Sequence, residues 1–101
     1  MTQKLLQIDF KMEGPWGQQM AAEFEGLANM ISHKEGLLWK IWAENEQTKE
    51  SGGIYLFVDQ AACERYLEEH MPRLQSFGIT DIRAKIFDVN EALTKITRGI
   101  L

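Results

Sequence analysis

The order of elements legible in this chain is strand, helix, strand, strand, helix, strand. That order predicts a ferredoxin-like α+β fold, βαββαβ, in which an antiparallel four-stranded sheet carries both helices on one face. Two runs anchor the prediction. Residues 36–44 and 52–59 are rich in aromatic and branched apolar side chains, begin at glycine, and flank the polar stretch 45–51. They read as a β-hairpin with a loop longer than the tight two-residue type. Helical spacing of apolar residues on either side of the hairpin, and alternating segments at the two ends of the chain, supply the rest.

Residues 5–12 open the fold. Leu6, Ile8, Phe10 and Met12 share one face of a strand, and Leu5, Gln7, Asp9 and Lys11 share the other. Gly14, Pro15 and Gly17 break it, and a proline ahead of a helical pattern is a common helix start. From residue 18 to about 33, Met20, Phe24, Leu27 and Ile31 form one helical stripe, with Trp16 one turn ahead of it. His33 is placed to interact with the dipole at the end of that helix. In the first hairpin strand, alternation puts Leu37, Trp39, Ile41 and Ala43 on one face, assigned to the helices, and Leu38, Lys40, Trp42 and Glu44 on the other. In the second strand Tyr55 and Phe57 oppose Ile54, Leu56 and Val58.

Asp59 predicts an N-cap for a helix over 60–70, whose inward stripe is Cys63, Leu67, His70 and Leu74, flanked by Tyr66 and Met71. Pro72 is expected to interrupt that helix near His70. Residues 79–89 read as the last strand, with Ala84 and Ile86 on one face and Lys85, Phe87 and Val89 on the other. Asn90 predicts a cap for a short tail helix carrying Leu93 and Ile96.

A chain of 101 residues is one domain, 1–101. Hydrophobic content of 45% beside 26% charged residues argues against disorder. The net charge of −4 argues against nucleic acid as a partner. No apolar run approaches the ~20 residues of a membrane span. The absence of a signal-like start and the single Cys63 lead to the expectation of a cytoplasmic protein. No His, Cys and carboxylate cluster has metal-ligand spacing, and no GxGxxG loop is present, so neither a metal nor another cofactor is expected.

With both helices on one side of the sheet, Trp42, Tyr55, Phe57 and Phe87 are expected on the uncovered side. Four large aromatics there call for a second copy of the chain, so a homodimer through that face is the expected assembly.

Residues 36–42, 52–57 and 84–91, together with 5–10 and the following Gly14 and Pro15, resemble the YdhR mono-oxygenase family. The resemblance spans nearly the whole chain. It implies a dimeric α+β barrel similar to the antibiotic-biosynthesis monooxygenases. It further implies oxidation of a small aromatic, phenol- or quinol-like, by dioxygen without metal or flavin. Such chemistry needs an apolar pocket, donors for an oxyanion and a proton acceptor.

Candidate residues follow from the inward stripes. His70 is the candidate base or oxyanion donor, against the plainer reading of a buried histidine bonded to a backbone carbonyl. Tyr66, one turn earlier, is the second catalytic candidate. Trp39, Trp16, Phe24 and Leu67 are the expected substrate-contacting wall, against plain core packing. The expected cavity lies between sheet and helices, lined by Trp39, Tyr66 and His70 with Trp16 at its mouth. Two rival readings stay open: a haem-binding or haem-degrading barrel with His70 as axial ligand, and a non-catalytic small-ligand-binding dimer.

Overall fold

The computed structural model describes residues 3–101. Its elements are β1 (Lys4–Lys11), α1 (Gly17–Glu23), α2 (Glu25–Ser32), β2 (Leu37–Asn45), β3 (Glu50–Phe57), α3 (Gln60–Ser76), β4 (Arg83–Asp88) and α4 (Glu91–Ile96). The sheet is antiparallel throughout, in the order β2-β3-β1-β4, so β1 and β3 are central and β2 is a free edge. This is the ferredoxin-like βαββαβ plan the sequence predicts.

Leu6, Ile8 and Phe10 of β1, Ile31 of α2, Tyr55 and Phe57 of β3, and Cys63, Tyr66 and Leu74 of α3 form the buried core between sheet and helices. The alternation read in β1 therefore holds. On β3 the assignment reverses. Tyr55 and Phe57 stack beneath Tyr66, with ring centroids 4.9 and 5.6 Å away, so both lie under α3 and not on the uncovered side.

β2 differs for a local reason. The pairing runs Leu37 with Phe57, then Trp39 with Leu56, then Lys40 with Tyr55, which leaves a bulge at Leu38. One extra residue shifts every later side chain to the opposite face. Leu37 still faces the helices, but past the bulge Lys40 and Trp42 do so, and Trp39 and Ile41 face away. Trp42 is thus also removed from the expected dimer face, and Trp39 from the expected pocket wall. Of the four aromatics expected on the open side, only Phe87 lies there, opposite Leu5 and 45% exposed.

The helices depart from expectation in two places. The first predicted helix is two, α1 and α2, meeting at Phe24, whose φ of −102° and ψ of 9° leave the helical range. Conversely, Pro72 does not end α3, which runs unbroken from Gln60 to Ser76. Proline removes one N–H, and the carbonyl it would have served belongs to Glu68, on the exposed side of the helix, where water can take its place. Two predicted caps are present. Asp59 Oδ1 accepts from the Ala62 N–H at 2.9 Å, and Asn90 Oδ1 accepts from the Leu93 N–H at 3.1 Å.

The segment after β4 travels from one edge of the sheet to the other. It leaves β4, and Trp39 on β2 donates its indole N–H to the Ile100 carbonyl at 3.1 Å. The cross-strand row beneath it is Phe87, Leu5, Leu56 and Trp39. Leu56 is 0% exposed although it points away from the helices, which fits this cover.

Candidate functional site

Two spaces that share part of their walls lie between β2 and the helices. The inner one is a cavity of about 40 Å³ lined by Phe10, Leu27, Lys40, Tyr55, His70 and Leu74 among others. The outer is a groove of about 300 Å³ between the α1–α2 corner and the edge of β2, lined by Met20, Ala21, Ala28 and Glu44. Phe24 and Trp42 line both, with ring centroids 6.4 Å apart. The inner cavity has room for a few water molecules. The groove reaches the lower end of the range for small-molecule sites.

The polar groups of the inner cavity form a connected set. His70, on the buried face of α3, accepts at Nδ1 a hydrogen bond of 2.8 Å from Arg73 Nη1. A guanidinium is always a donor, so the neutral imidazole carries its proton on Nε2. Burial, then the charges of Lys40 and Arg73, lower the His70 pKa to about 3. His70 is therefore neutral through the physiological range and presents an N–H. The Tyr66 ring stacks on it at 4.8 Å, and the Tyr66 hydroxyl donates to the Tyr55 hydroxyl at 3.0 Å. Burial pushes the Tyr55 pKa up to about 12 and raises that of Tyr66 further, the Tyr55 neighbour adding to the latter. Both phenols stay protonated. Ser51, also lining the cavity, spends its hydroxyl on the Ala43 carbonyl at 3.2 Å.

Lys40 completes the set. Its ammonium nitrogen lies 3.4 Å from the Trp42 ring centroid and 4.6 Å from that of Tyr55. Burial, then the charge of Arg73, lowers its pKa from 10.5 to about 7. Room for the side chain comes from Gly53, where a β-carbon would stand 2.6 Å from Lys40 Cε. Neighbouring Gly52 answers a different demand: its β-carbon would stand 1.9 Å from the Ile8 carbonyl oxygen.

Among the sequence-predicted residues, His70 and Phe24 line the inner cavity. Trp39 does not. It faces away from the helices and borders a separate hollow at the β2 edge with Leu38 and Ser32. Tyr66 is buried one layer behind, with its hydroxyl committed to Tyr55. Leu67 packs against the core without lining either space. Trp16 sits as the residue ahead of α1, its ring near Gly14, and lines neither space. His33, as expected, caps the end of α2, with Nδ1 2.8 Å from the Asn29 carbonyl.

Sequence reasoning missed Lys40 and Trp42 as site residues because strict alternation turned both outward, and Tyr55 because the helices were assigned to the other face of β3. The available signal was Gly52-Gly53 on the partner strand. Two adjacent residues without side chains mark a close approach, and Gly53 stands opposite Trp42. Among the described residues, no group of three or more His, Cys, Asp or Glu side chains is arranged to hold a metal ion. No described helix is long and apolar enough to cross a membrane.

Three solved structures share the fold. A protein of unknown function from Nitrosomonas europaea superposes with a TM-score of 0.65 at 14% identity, covering 89% of this chain and 91% of that one. A putative antibiotic biosynthesis monooxygenase from Deinococcus radiodurans gives a TM-score of 0.61 at 12% identity, covering 86% and 92%. The structural-genomics protein YJCS gives 0.62 at 14% identity, covering 89% and 100%. No curated protein sequence matches the chain. At these identities the structures establish a shared fold and nothing finer. The family is fixed by sequence: the family model described as "Putative mono-oxygenase ydhR" matches residues 5–100, from the first strand to the end of the tail, and the chain belongs to that family.

Proposed function

We propose that the protein is a cofactor-independent monooxygenase acting on a small phenol- or quinol-like aromatic. The observation that carries this reading is the pairing of an apolar groove, walled by Phe24 and Trp42, with an inner cavity whose polar groups are Lys40, Tyr55 and His70. A flat aromatic lies in the groove and its oxygen reaches inward. The His70 Nε2–H donates to that oxygen and stabilises it as an oxyanion. Tyr66 acts as a positioning residue, since its hydroxyl fixes that of Tyr55. The electron-rich anion then reduces dioxygen. One oxygen atom ends on a ring carbon as a carbonyl, and the other leaves as water with the hydrogen of that carbon and the hydrogen of the phenolic hydroxyl.

The haem reading loses its support. An axial ligand needs an open face beside it, and His70 is 3% exposed against a cavity too small for a porphyrin. Oxygen uptake with a panel of anthrones, quinols and flavonoids tests the proposal. Uptake that falls at least tenfold in His70→Ala is the expected result; no uptake with any member overturns it in favour of a non-catalytic ligand-binding protein.

A homodimer through the open side of the sheet forms part of the same reading. The apolar surface there is Ile41, 57% exposed, and Phe87, continued by Leu93 and Ile96 of α4. These side chains stand on the two edge strands and the tail helix, where a second copy of the sheet would cover them. Sedimentation should find a dimer that Ile41→Lys with Phe87→Lys dissociates; a monomeric wild type refutes it.

A further inference from the structure

The reaction needs a proton acceptor, and the geometry excludes the histidine from that part. His70 Nδ1 is occupied by an N–H from Arg73, and Nε2 carries the ring's own proton. Accepting a second proton would place an imidazolium against a guanidinium, with the Lys40 ammonium beside it. Tyr55 and Tyr66 are bonded to each other and buried. Ser51 is bonded to a backbone carbonyl.

Lys40 differs from all of these. Its nitrogen lies 3.4 Å from the Trp42 ring centroid and 4.6 Å from that of Tyr55, and its side chain lines the inner cavity, which shares Trp42 and Phe24 with the groove. Among the described residues it forms no ion pair, whereas Lys4, Lys34 and Lys49 each have a carboxylate partner. The charged and titratable groups around it do not supply one. From α3 it meets Arg73 and His70, and from β3 Tyr55. The α2 residues that share the cavity or the neighbouring hollow with Lys40 are Leu27, Ala28, Ile31 and Ser32, none of them charged. On its own strand the next carboxylate, Glu44, accepts from the Gly17 N–H at 2.7 Å. An amine half-buried without a counter-ion, beside a neighbouring positive charge, holds its proton less tightly than a free one.

We propose that Lys40 is the proton acceptor of this site and that its substrate is an acidic phenol whose hydroxyl enters the inner cavity. This rests on the monooxygenase reading only in placing an aromatic in the groove. In the step, the phenol O–H bond breaks and its electron pair stays on oxygen. The proton forms a new N–H bond on the Lys40 amine. The products are a phenolate and an ammonium, held as the ion pair that Lys40 otherwise lacks. His70 Nε2–H and the Tyr55 hydroxyl are the remaining donors to the phenolate. Burial with Arg73, which lowers the Lys40 pKa to about 7, leaves the amine in its accepting form in slightly alkaline solution.

The test needs no turnover. 1-Naphthol is titrated into the protein at about pH 8, where a free phenol remains protonated. Absorbance reads its ionisation state, and calorimetry in buffers of different ionisation enthalpy reads protons released. The wild type is expected to bind it as the naphtholate with no net proton release, because Lys40 keeps the proton. Lys40→Arg, which holds the charge but cannot accept, should bind naphtholate with release of about one proton per site. Lys40→Met should bind neutral naphthol. Wild type binding neutral naphthol, or releasing a proton on binding the anion, overturns the assignment of Lys40 and leaves the aromatic groove intact. So does an anion band retained in Lys40→Met. Failure of the wild type to bind naphthol overturns the groove itself, and the proposal with it. Since the decisive readings come from the wild type, a variant that misfolds does not blunt the test.

Discussion

Replacing Lys40 by methionine removes a half-buried amine while keeping most of its volume, and the consequence for stability can be worked out. In the folded protein the amine titrates near about 7, and in the unfolded chain near 10.5. Between those values the unfolded chain holds more protons, so stability rises with pH. Integrated from about pH 7 to about pH 9, the gain for the wild type is ~2 kcal/mol. The faces of Trp42 and Tyr55 oppose this, because they favour the ammonium by ~1 kcal/mol. The net expectation is a gain of ~1–2 kcal/mol over that window in the wild type and none from this source in Lys40→Met. The variant should therefore be the more stable protein at pH 7, with the difference closing as pH rises.

Urea denaturation of both proteins at several pH values measures this. The comparison is kept above about pH 7 because His70 titrates below that in the unfolded chain, and its folded pKa depends in part on Lys40. Burial also raises the Cys63 pKa to about 11, which lowers stability at the alkaline end, but it does so in both proteins and cancels in the difference. A difference that stays constant from pH 7 to 9, or a variant less stable at pH 7 than at pH 9 relative to the wild type, refutes the reasoning.

Other expectations follow from single contacts. Gly52→Ala meets rigid backbone, with Ile8 O at 1.9 Å and Asp9 Cα at 2.8 Å, and should cost ~3 kcal/mol or abolish folding, read by thermal melts. Gly53→Ala meets the movable end of Lys40, so it should fold and instead raise the lysine pKa as the amine is displaced toward water, read by NMR titration. Tyr66→Phe removes the donor to Tyr55 and should destabilise by ~1–2 kcal/mol by denaturant melts. Trp39→Phe removes the bond to Ile100 and should speed amide exchange across the tail with little change in global stability.

The backbone plan was legible because it rests on features that act locally. Alternation in residues 5–12, the Asp59 and Asn90 caps and the polar loop between the hairpin strands each specify their element without reference to the rest of the chain. The site was legible in part. His70 and Phe24 could be placed because helix periodicity held around them. The wall of β2 could not, because it depends on a bulge that has no composition of its own: Leu38 is as apolar as its neighbours, and nothing in the run 37–42 marks the residue that drops out of register. Tyr55 and Phe57 were misassigned for a related reason. Both faces of β3 are apolar, so pattern alone did not say which one the helices cover; contact with Tyr66 decides it. Pro72 was over-read, since a proline whose lost bond lies on the wet side of a helix need not stop it.

The bulge at Leu38 also bears on how this strand tolerates changes of length. Because side chains alternate with a period of two, deleting Leu38 would shorten β2 by its unpaired residue alone: Leu37 would stay opposite Phe57 and Trp39 opposite Leu56, with every side chain on its present face. Drawing Leu38 into the ladder would do the opposite. With Leu37 held opposite Phe57 and Leu38 set opposite Leu56, Lys40 and Trp42 would swing to the face covered by the tail, and Trp39 and Ile41 would take their places beside His70. Whether the extra residue bulges out or joins the pairing, more than substitution around it, decides whether the edge strand offers the cavity a lysine or a tryptophan.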